Sequence, residues 1–184
     1  MTEFVTDREI YERVIQEAVP GAAKFVWLAT SMLKDLYVSR GKRMVPFLKI
    51  LSELVEKGVA VRLLHAGEPG PAFRKDFDRF PNLVDGLERV LCPRVHFKSV
   101  IVDGRFAYTG SANLTGAGMG AKSPKRRNFE AGIVTTDPAT VRSIMDEFDG
   151  VWMGSRCAGC GRKAFCADYE LLQAKGSDGP ATRR

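Results

Sequence analysis

His96 and Lys98 stand two positions apart, so in an extended segment their side chains share one face at roughly 6.5 Å spacing. Asp103-Gly104 reads as a tight hairpin turn, after which Arg105 to Tyr108 returns as a second strand and delivers Gly110, Ser111 and Asn113 beside the first. A nucleophile candidate, a fixed cation, a hydroxyl and an amide thus surround one point. A phosphodiester fits that set. Its non-bridging oxygens share a negative charge that must be neutralised while a nucleophile attacks and the departing alcohol receives a proton. Lys98, Ser111 and Asn113 can donate to those oxygens, and a neutral imidazole can attack phosphorus. No carboxylate cluster suited to Mg²⁺ accompanies them, since Asp103 occupies a turn and Glu130 stands apart in the sequence.

The pattern H-x-K-x4-D-x6-G-S-x-N, formed by His96, Lys98, Asp103, Gly110, Ser111 and Asn113, resembles the signature of the phospholipase D superfamily, the HKD phosphodiesterases. FVWLAT, EKGVAVRLL and NFEAGIV also fall where that family's domain places them, so the resemblance covers about Asp7 to Trp152. It implies an α/β fold, a mixed central sheet flanked by helices on both faces with one catalytic hairpin per chain. It also implies a mechanism in which one histidine forms a phosphohistidine and a second histidine protonates the leaving group. This chain carries a single motif, so the resemblance implies a homodimer that pools two copies of His96 in one cleft. The two rings must start in opposite protonation states. In single-motif members a downstream glutamate orients the imidazole, and Glu130 is the matching residue. Asp103 is expected to pin the turn.

The elements that must hold this hairpin are readable in outline. Thr6-Asp7 caps a helix with Ile10, Val14, Ile15 and Ala18 at helical spacing, ended by Pro20-Gly21. Lys24 to Ala29 is near-continuously apolar, as expected of a strand covered on both faces. Thr30 to Met44 reads as a solvated, basic connector. Pro46 to Lys57 is an amphipathic helix stopped by Gly58, and Val59 to Leu64 is a second buried strand ending at His65, an ordinary polar terminus. Between Gly67 and Leu87, Phe73, Phe77 and Phe80 alternate with Arg74, Lys75 and Arg79; that pattern either stacks single-stranded bases or packs a short surface helix. After Asn113 comes a glycine-rich loop with Lys122, Lys125, Arg126 and Arg127, suited to a polyphosphate backbone. Asn128 to Thr135 forms a strand carrying Glu130, and Pro138 to Trp152 a closing helix.

A chain of 184 residues with 45% hydrophobic content supports one domain with a proper core. The expected division is a catalytic domain over 1–152 and a cysteine-containing tail over 153–184, with about the last ten residues disordered. The formal charge of +6 favours polyanionic partners. The N-terminal residues lack a secretory pattern and no apolar run reaches the ~20 residues of a membrane span. A cytoplasmic location without stable membrane insertion is the expectation.

Cys157, Cys160 and Cys166 form C-x2-C-x5-C beyond the closing helix, and Cys92 precedes the catalytic strand. In a chain without a secretion signal this spacing points to metal before disulfides. Four thiolates suit a structural Zn²⁺, with a [4Fe–4S] cluster as the alternative; no cofactor is expected for catalysis itself. The leading expectation is a metal-independent nuclease that cuts DNA or RNA as a dimer; its phosphate-directed lysines do not read bases and no groove-reading helix is apparent. The alternatives are a lipid phosphodiesterase or transphosphatidylase, for which an interfacial element is missing, and a non-catalytic nucleic-acid-binding dimer, against which the intact motif argues.

Overall fold

The computed structural model describes residues 1–34 and 36–177. Seven strands form one mixed sheet in the order β1-β9-β8-β7-β2-β5-β6. They are β1 (Thr2–Thr6), β2 (Phe25–Thr30), β5 (Ala60–His65), β6 (Leu87–Leu91), β7 (Lys98–Val102), β8 (Phe106–Gly110) and β9 (Ala131–Thr135). β2, β5 and β6 run parallel, whereas β7 lies antiparallel to β2 and opens an antiparallel half completed by β8, β9 and β1. The α/β architecture with helices on both faces is as the sequence predicts.

Alternation along the strands sorts side chains to two cores. On one face, Val26, Leu28, Val100 and Val102 pack with Ile10, Val14 and Ile15 of the first helical segment and with Leu51 and Leu54 of α2 (Phe47–Glu56). That first segment begins as α1 (Asp7–Ile10), continues as a π-helical stretch (Tyr11–Ala18) and closes in a 3-10 turn (Val19–Gly21). On the other face, Trp27, Ala29, Leu64 and Ile101 pack with Val141, Phe148 and Trp152 of α5 (Pro138–Trp152). α5 starts where its sequence dictates: Asp137 accepts from Thr140 N (2.9 Å) and Thr140 Oγ1 (2.7 Å), and Pro138 needs no intrahelical N–H partner. Trp27, Phe148 and Trp152 stack in series at 5.1 and 5.6 Å, and the Arg62 guanidinium lies over both tryptophans.

Several sequence expectations need correction. Thr2–Thr6, to which the sequence reading assigns no element, is an edge strand paired with β9. The Thr30 to Met44 connector contains a hairpin, β3 (Tyr37–Arg40) with β4 (Arg43–Pro46), tied to the first helical segment by Ser39 N donating to Tyr11 Oη at 2.7 Å. Residues 67–87 contain α3 (Pro71–Phe77) and α4 (Asn82–Gly86). Phe73 is buried and Phe77 and Phe80 pack against the core, so these rings are not a base-stacking platform. The tail ends in α6 (Tyr169–Ser177), and Cys157 and Leu172 are buried in the second core, so residues 153–177 extend the domain. Lys175 lies over the Trp152 ring instead of in a disordered end; the rest of that expectation, 178–184, falls outside the described residues.

Asp103 shows why the hairpin is fixed. It sits at φ +53, a left-handed conformation that aspartate tolerates better than most residues. Its carboxylate accepts from Ala23 N (2.9 Å), Lys24 N (2.7 Å) and Phe25 N (2.9 Å), tying the turn to the start of β2. Burial alone would raise its pKa; the N–H groups of Phe25, Ala23 and Lys24, aided by Arg105, outweigh that and hold it below the usual aspartate range. A depressed carboxyl contributes stability above its unfolded pKa and loses it as pH falls through the folded value. Asp103→Asn, which keeps the backbone but not the charge, is expected to cost about 1–3 kcal/mol in urea unfolding at neutral pH. The gap to wild type should begin to narrow below the unfolded aspartate pKa of about 4 and close only as pH falls through the lower folded value, where the wild-type carboxyl is itself protonated.

Candidate active site

Strand ends from both halves of the sheet converge on one rim: the end of β2, the start of β7, the end of β8 and the start of β9. Ligand clefts of open α/β sheets lie beyond such ends. Lys98 opens β7, facing the same side as Val100 and Val102, while His96 lies just ahead of the strand in the 92–97 loop. The imidazole is exposed and the lysine is 7% exposed. Lys98 Nζ donates to the His96 carbonyl at 2.5 Å and stands 3.4 Å from His96 Nδ1. Burial pushes the Lys98 pKa down, and the negative charge of Glu130 partly restores it.

The Gly-Ser-x-Asn turn follows β8. Gly110 pairs with Gly132 of β9 and with Lys98. A Cβ at Gly110 would stand 2.5 Å from the Ala131 carbonyl and 2.7 Å from Gly132 Cα, so the motif's glycine is required by backbone approach. Ser111 donates to Glu130 and accepts from Ala131 N at 3.1 Å. Asn113 Oδ1 accepts from Thr30 Oγ1 (3.1 Å), Ser31 Oγ (2.8 Å) and Met32 N (3.1 Å). With three donors on the oxygen, the amide nitrogen is the atom left to donate to a phosphoryl oxygen. Thr30 Oγ1 also accepts from Leu114 N at 3.1 Å, so the end of β2 fixes the turn from both sides of the asparagine.

Glu130 precedes β9 rather than lying within it, and it does not bond to His96 in this chain. Its oxygens accept from Ser111 Oγ and from Asn128 Nδ2 (3.0 Å), while its backbone exchanges two hydrogen bonds with Asp7: Glu130 N donates to Asp7 Oδ1 (2.8 Å) and Asp7 N donates to Glu130 O (3.0 Å). Asp7, which the sequence offers only as a helix start, therefore positions the site's carboxylate. Tyr108 lies beneath, fully buried, its hydroxyl accepting from Ala112 N at 3.4 Å; burial, with Glu130 nearby, has its pKa pushed up to about 12. Asp103 belongs to the opposite end of the hairpin and pins it there, as expected.

Lys122, Lys125 and Arg126 are exposed and Arg127 half-buried on the loop after Asn113. That loop is built from hydrogen-bonded turns, with Lys122 N donating to Gly116 O, Arg127 N to Ser123 O and Asn128 N to Ala117 O, and is less free than its glycines suggest. His65 plays no part at the rim: it is 1% exposed, its Nδ1 lies 2.8 Å from Gly67 O, and burial lowers its pKa. Cys92, Cys157, Cys160 and Cys166 border a cavity beside the 92–97 loop that His96 also lines. Among the described residues, no three or more His, Cys, Asp or Glu side chains are already arranged to hold a metal ion.

A mixed sheet whose central hairpin begins H-x-K and ends G-S-x-N is the catalytic unit of phospholipase D-type phosphodiesterases. Residues 4–152 match the family described as "Cardiolipin synthase, PLD-like domain", and the chain belongs to it. Among solved structures, it is similar to NucT from Helicobacter pylori, with 14% identity, 81% of this chain and 94% of that chain covered, and a TM-score of 0.57. It is also similar to Nuc from Salmonella typhimurium, a phospholipase D family member, with 19% identity, coverage of 83% and 93%, and a TM-score of 0.58. TrmBL2, an archaeal chromatin protein with a novel mode of DNA binding, shares the fold at 16% identity, 82% and 51% coverage and a TM-score of 0.56. No curated protein matches the sequence significantly.

Lys98 carries its charge in a buried setting, where a charge costs stability. Lys98→Met is expected to raise the unfolding free energy by about 1 kcal/mol, the trade seen when functional polar groups are removed from buried positions. Equilibrium urea unfolding of the two proteins measures it, and a clear loss of stability would show that the ammonium supports the fold.

Proposed function

We propose that this protein is a nuclease that cleaves DNA or RNA without a catalytic metal ion, through a phosphohistidine formed at a homodimer interface. The observation that carries the reading is the pairing of an exposed His96 imidazole with a buried Lys98 ammonium at a rim where Asn113 and Ser111 also present polar groups. Lys98 Nζ and Asn113 Nδ2 neutralise the non-bridging oxygens, and His96 of one subunit attacks phosphorus. The same residue of the second subunit, carrying its proton, donates it to the leaving oxygen; water then attacks the phosphohistidine with that second ring acting as base. An exposed ring on the rim of one chain suits this sharing across a two-fold axis, because an isologous contact brings two copies of the same surface together.

Ammonium beside Nδ1 favours the neutral tautomer with its proton on Nε2, whereas the acid partner must be the imidazolium, protonated on both nitrogens. The attacking ring needs the reverse arrangement, with an acceptor on Nδ1. Glu130 is the carboxylate on this rim, and taking up that role requires it to exchange its Ser111 bond for the imidazole. The exposed cations Lys122, Lys125 and Arg126, with Arg127, contact the polyanion beyond the scissile phosphate. A nucleic acid is favoured over a lipid by those cations and the net charge of +6. The fold's presence in a chromatin protein described as binding DNA is consistent with that choice. Among the described residues no helix is long and apolar enough to cross a membrane.

The purified protein should cleave single-stranded DNA, duplex DNA or RNA in EDTA with no added divalent cation, and should release no choline from phosphatidylcholine vesicles. Choline release, or dependence on added Mg²⁺, would replace this reading. His96→Ala should lower turnover at least ~10³-fold while nucleic-acid affinity changes little. Sedimentation should show a dimer at assay concentration; an active monomer rules out the shared site. Glu130→Gln should lower kcat more than KM, because the carboxylate is needed to orient the attacking ring; an unchanged kcat would remove that role.

A further inference from the structure

The sulfurs on the opposite side of the 92–97 loop have no part in the chemistry above, and their surroundings suit a second ligand. Cys92, Cys157, Cys160 and Cys166, drawn from two segments more than sixty residues apart, all border one cavity of about 330 Å³ that also reaches His96. All four are free thiols. The backbone brings them there deliberately. Cys92 extends the β5–β6 pairing, its N–H donating to His65 O at 2.9 Å. The tail is laid against the same strand end: Leu91 N donates to Asp168 Oδ2 at 2.7 Å and Cys166 Sγ to Leu91 O at 3.5 Å. Cys157 and Cys160 sit on a turn closed by Cys160 N donating to Cys157 O at 3.0 Å.

Two details of the surroundings bear on how the sulfurs are held. The backbone N–H of Arg162 donates to Cys160 Sγ and that of Asp168 to Cys166 Sγ, the same donor two residues beyond each cysteine. N–H groups aimed at sulfur orient it, as outer-shell donors do around metal ligands. The cavity wall is also cationic. Arg94 Nη1 stands 3.7 Å from Cys160 Sγ, and Arg162 lines the same space, whereas Arg156 is occupied by a two-bond pairing with Glu147. A divalent ion on four thiolates leaves a net negative centre, and these guanidinium groups neutralise it.

We propose that Cys92, Cys157, Cys160 and Cys166 bind one Zn²⁺ in a closed tetrahedral centre that fastens the tail to the loop presenting His96. The thiols line the cavity without yet meeting at a point, so the ion gathers them and releases their protons as it binds, the usual coupling of structural zinc to local folding. Cys92 lies four residues before His96 in one short loop, so closing the centre restrains the loop from its far end. The proposal does not depend on which phosphodiester the rim cleaves.

The full chain, purified under reducing conditions without chelators, should carry about one zinc per chain by elemental mass spectrometry. Replacing zinc with Co²⁺ should give thiolate-to-cobalt charge-transfer absorption and the d–d bands of a tetrahedral all-sulfur site. Cys160→Ser and Cys166→Ser should each lose the ion and those bands. Stripping the wild-type ion with a strong chelator should speed amide exchange across 92–97 and 155–168 together. The proposal is overturned by zinc-free protein that takes up no Co²⁺, by iron with acid-labile sulfide, or by an intact mass lowered by disulfide formation. A cobalt spectrum without thiolate bands, or unchanged exchange in 92–97, also overturns it. None of these measurements uses cleavage, so they stand apart from the outcome of the nuclease assays.

Discussion

Strand β2 is gripped at both ends by the hairpin that carries the H-x-K and G-S-x-N residues, and the rest of the structure is arranged around that double grip. At its start, the Asp103 carboxylate takes the N–H groups of Ala23, Lys24 and Phe25; at its end, the Asn113 amide oxygen takes three donors from Thr30, Ser31 and Met32. Between them β2 and β7 pair antiparallel, with Leu28 opposite Val100. β2 also pairs in parallel with β5, so it is the seam at which the sheet changes direction. The consequence is geometric. Strands of both halves end on one rim, and the residues delivered there are fixed through charge-assisted or multiply shared hydrogen bonds.

The division of labour within the H-x-K-x4-D-x6-G-S-x-N pattern follows from that frame. Asp103 is a clamp, Gly110 permits backbone contact with β9, and Asn113 spends its amide oxygen on the end of β2 and the two residues after it. His96, Lys98, Ser111 and the Asn113 amide nitrogen are the groups of the motif assigned to the proposed substrate contacts. Lys98 is buried where a charge costs stability, and His96 is exposed beside it.

What could be read from residues alone was the periodic and the local. The apolar run of β2, the stripe of α2 and the capped α5 carry their own signals, and the motif fixes the hairpin because its members lie within eighteen residues. What stayed hidden depends on contacts distant in sequence. β1 is largely exposed and lacks a strong alternating pattern, and it exists because β9 offers an edge. Asp7 reaches Glu130 across 123 residues, which no spacing rule reports. The phenylalanines of 67–87 were ambiguous because composition does not say which way a ring points; packing under α3 decides it. Glu130 could be found from the resemblance, but its partners, Ser111 and Asn128, could not.

The short edge strand β1 has a bearing on how the molecule tolerates trimming. Its five residues pair from Thr2 with Thr135 to Thr6 with Ala131, and the next residue is Asp7, whose backbone and carboxylate hold Glu130 in place. A peptidase that nicked the chain within this segment would uncover the β9 edge and slacken the carboxylate on the reactive rim in one cut. Proteolytic sensitivity and the geometry of the rim are thus joined at a place remote from the motif in sequence.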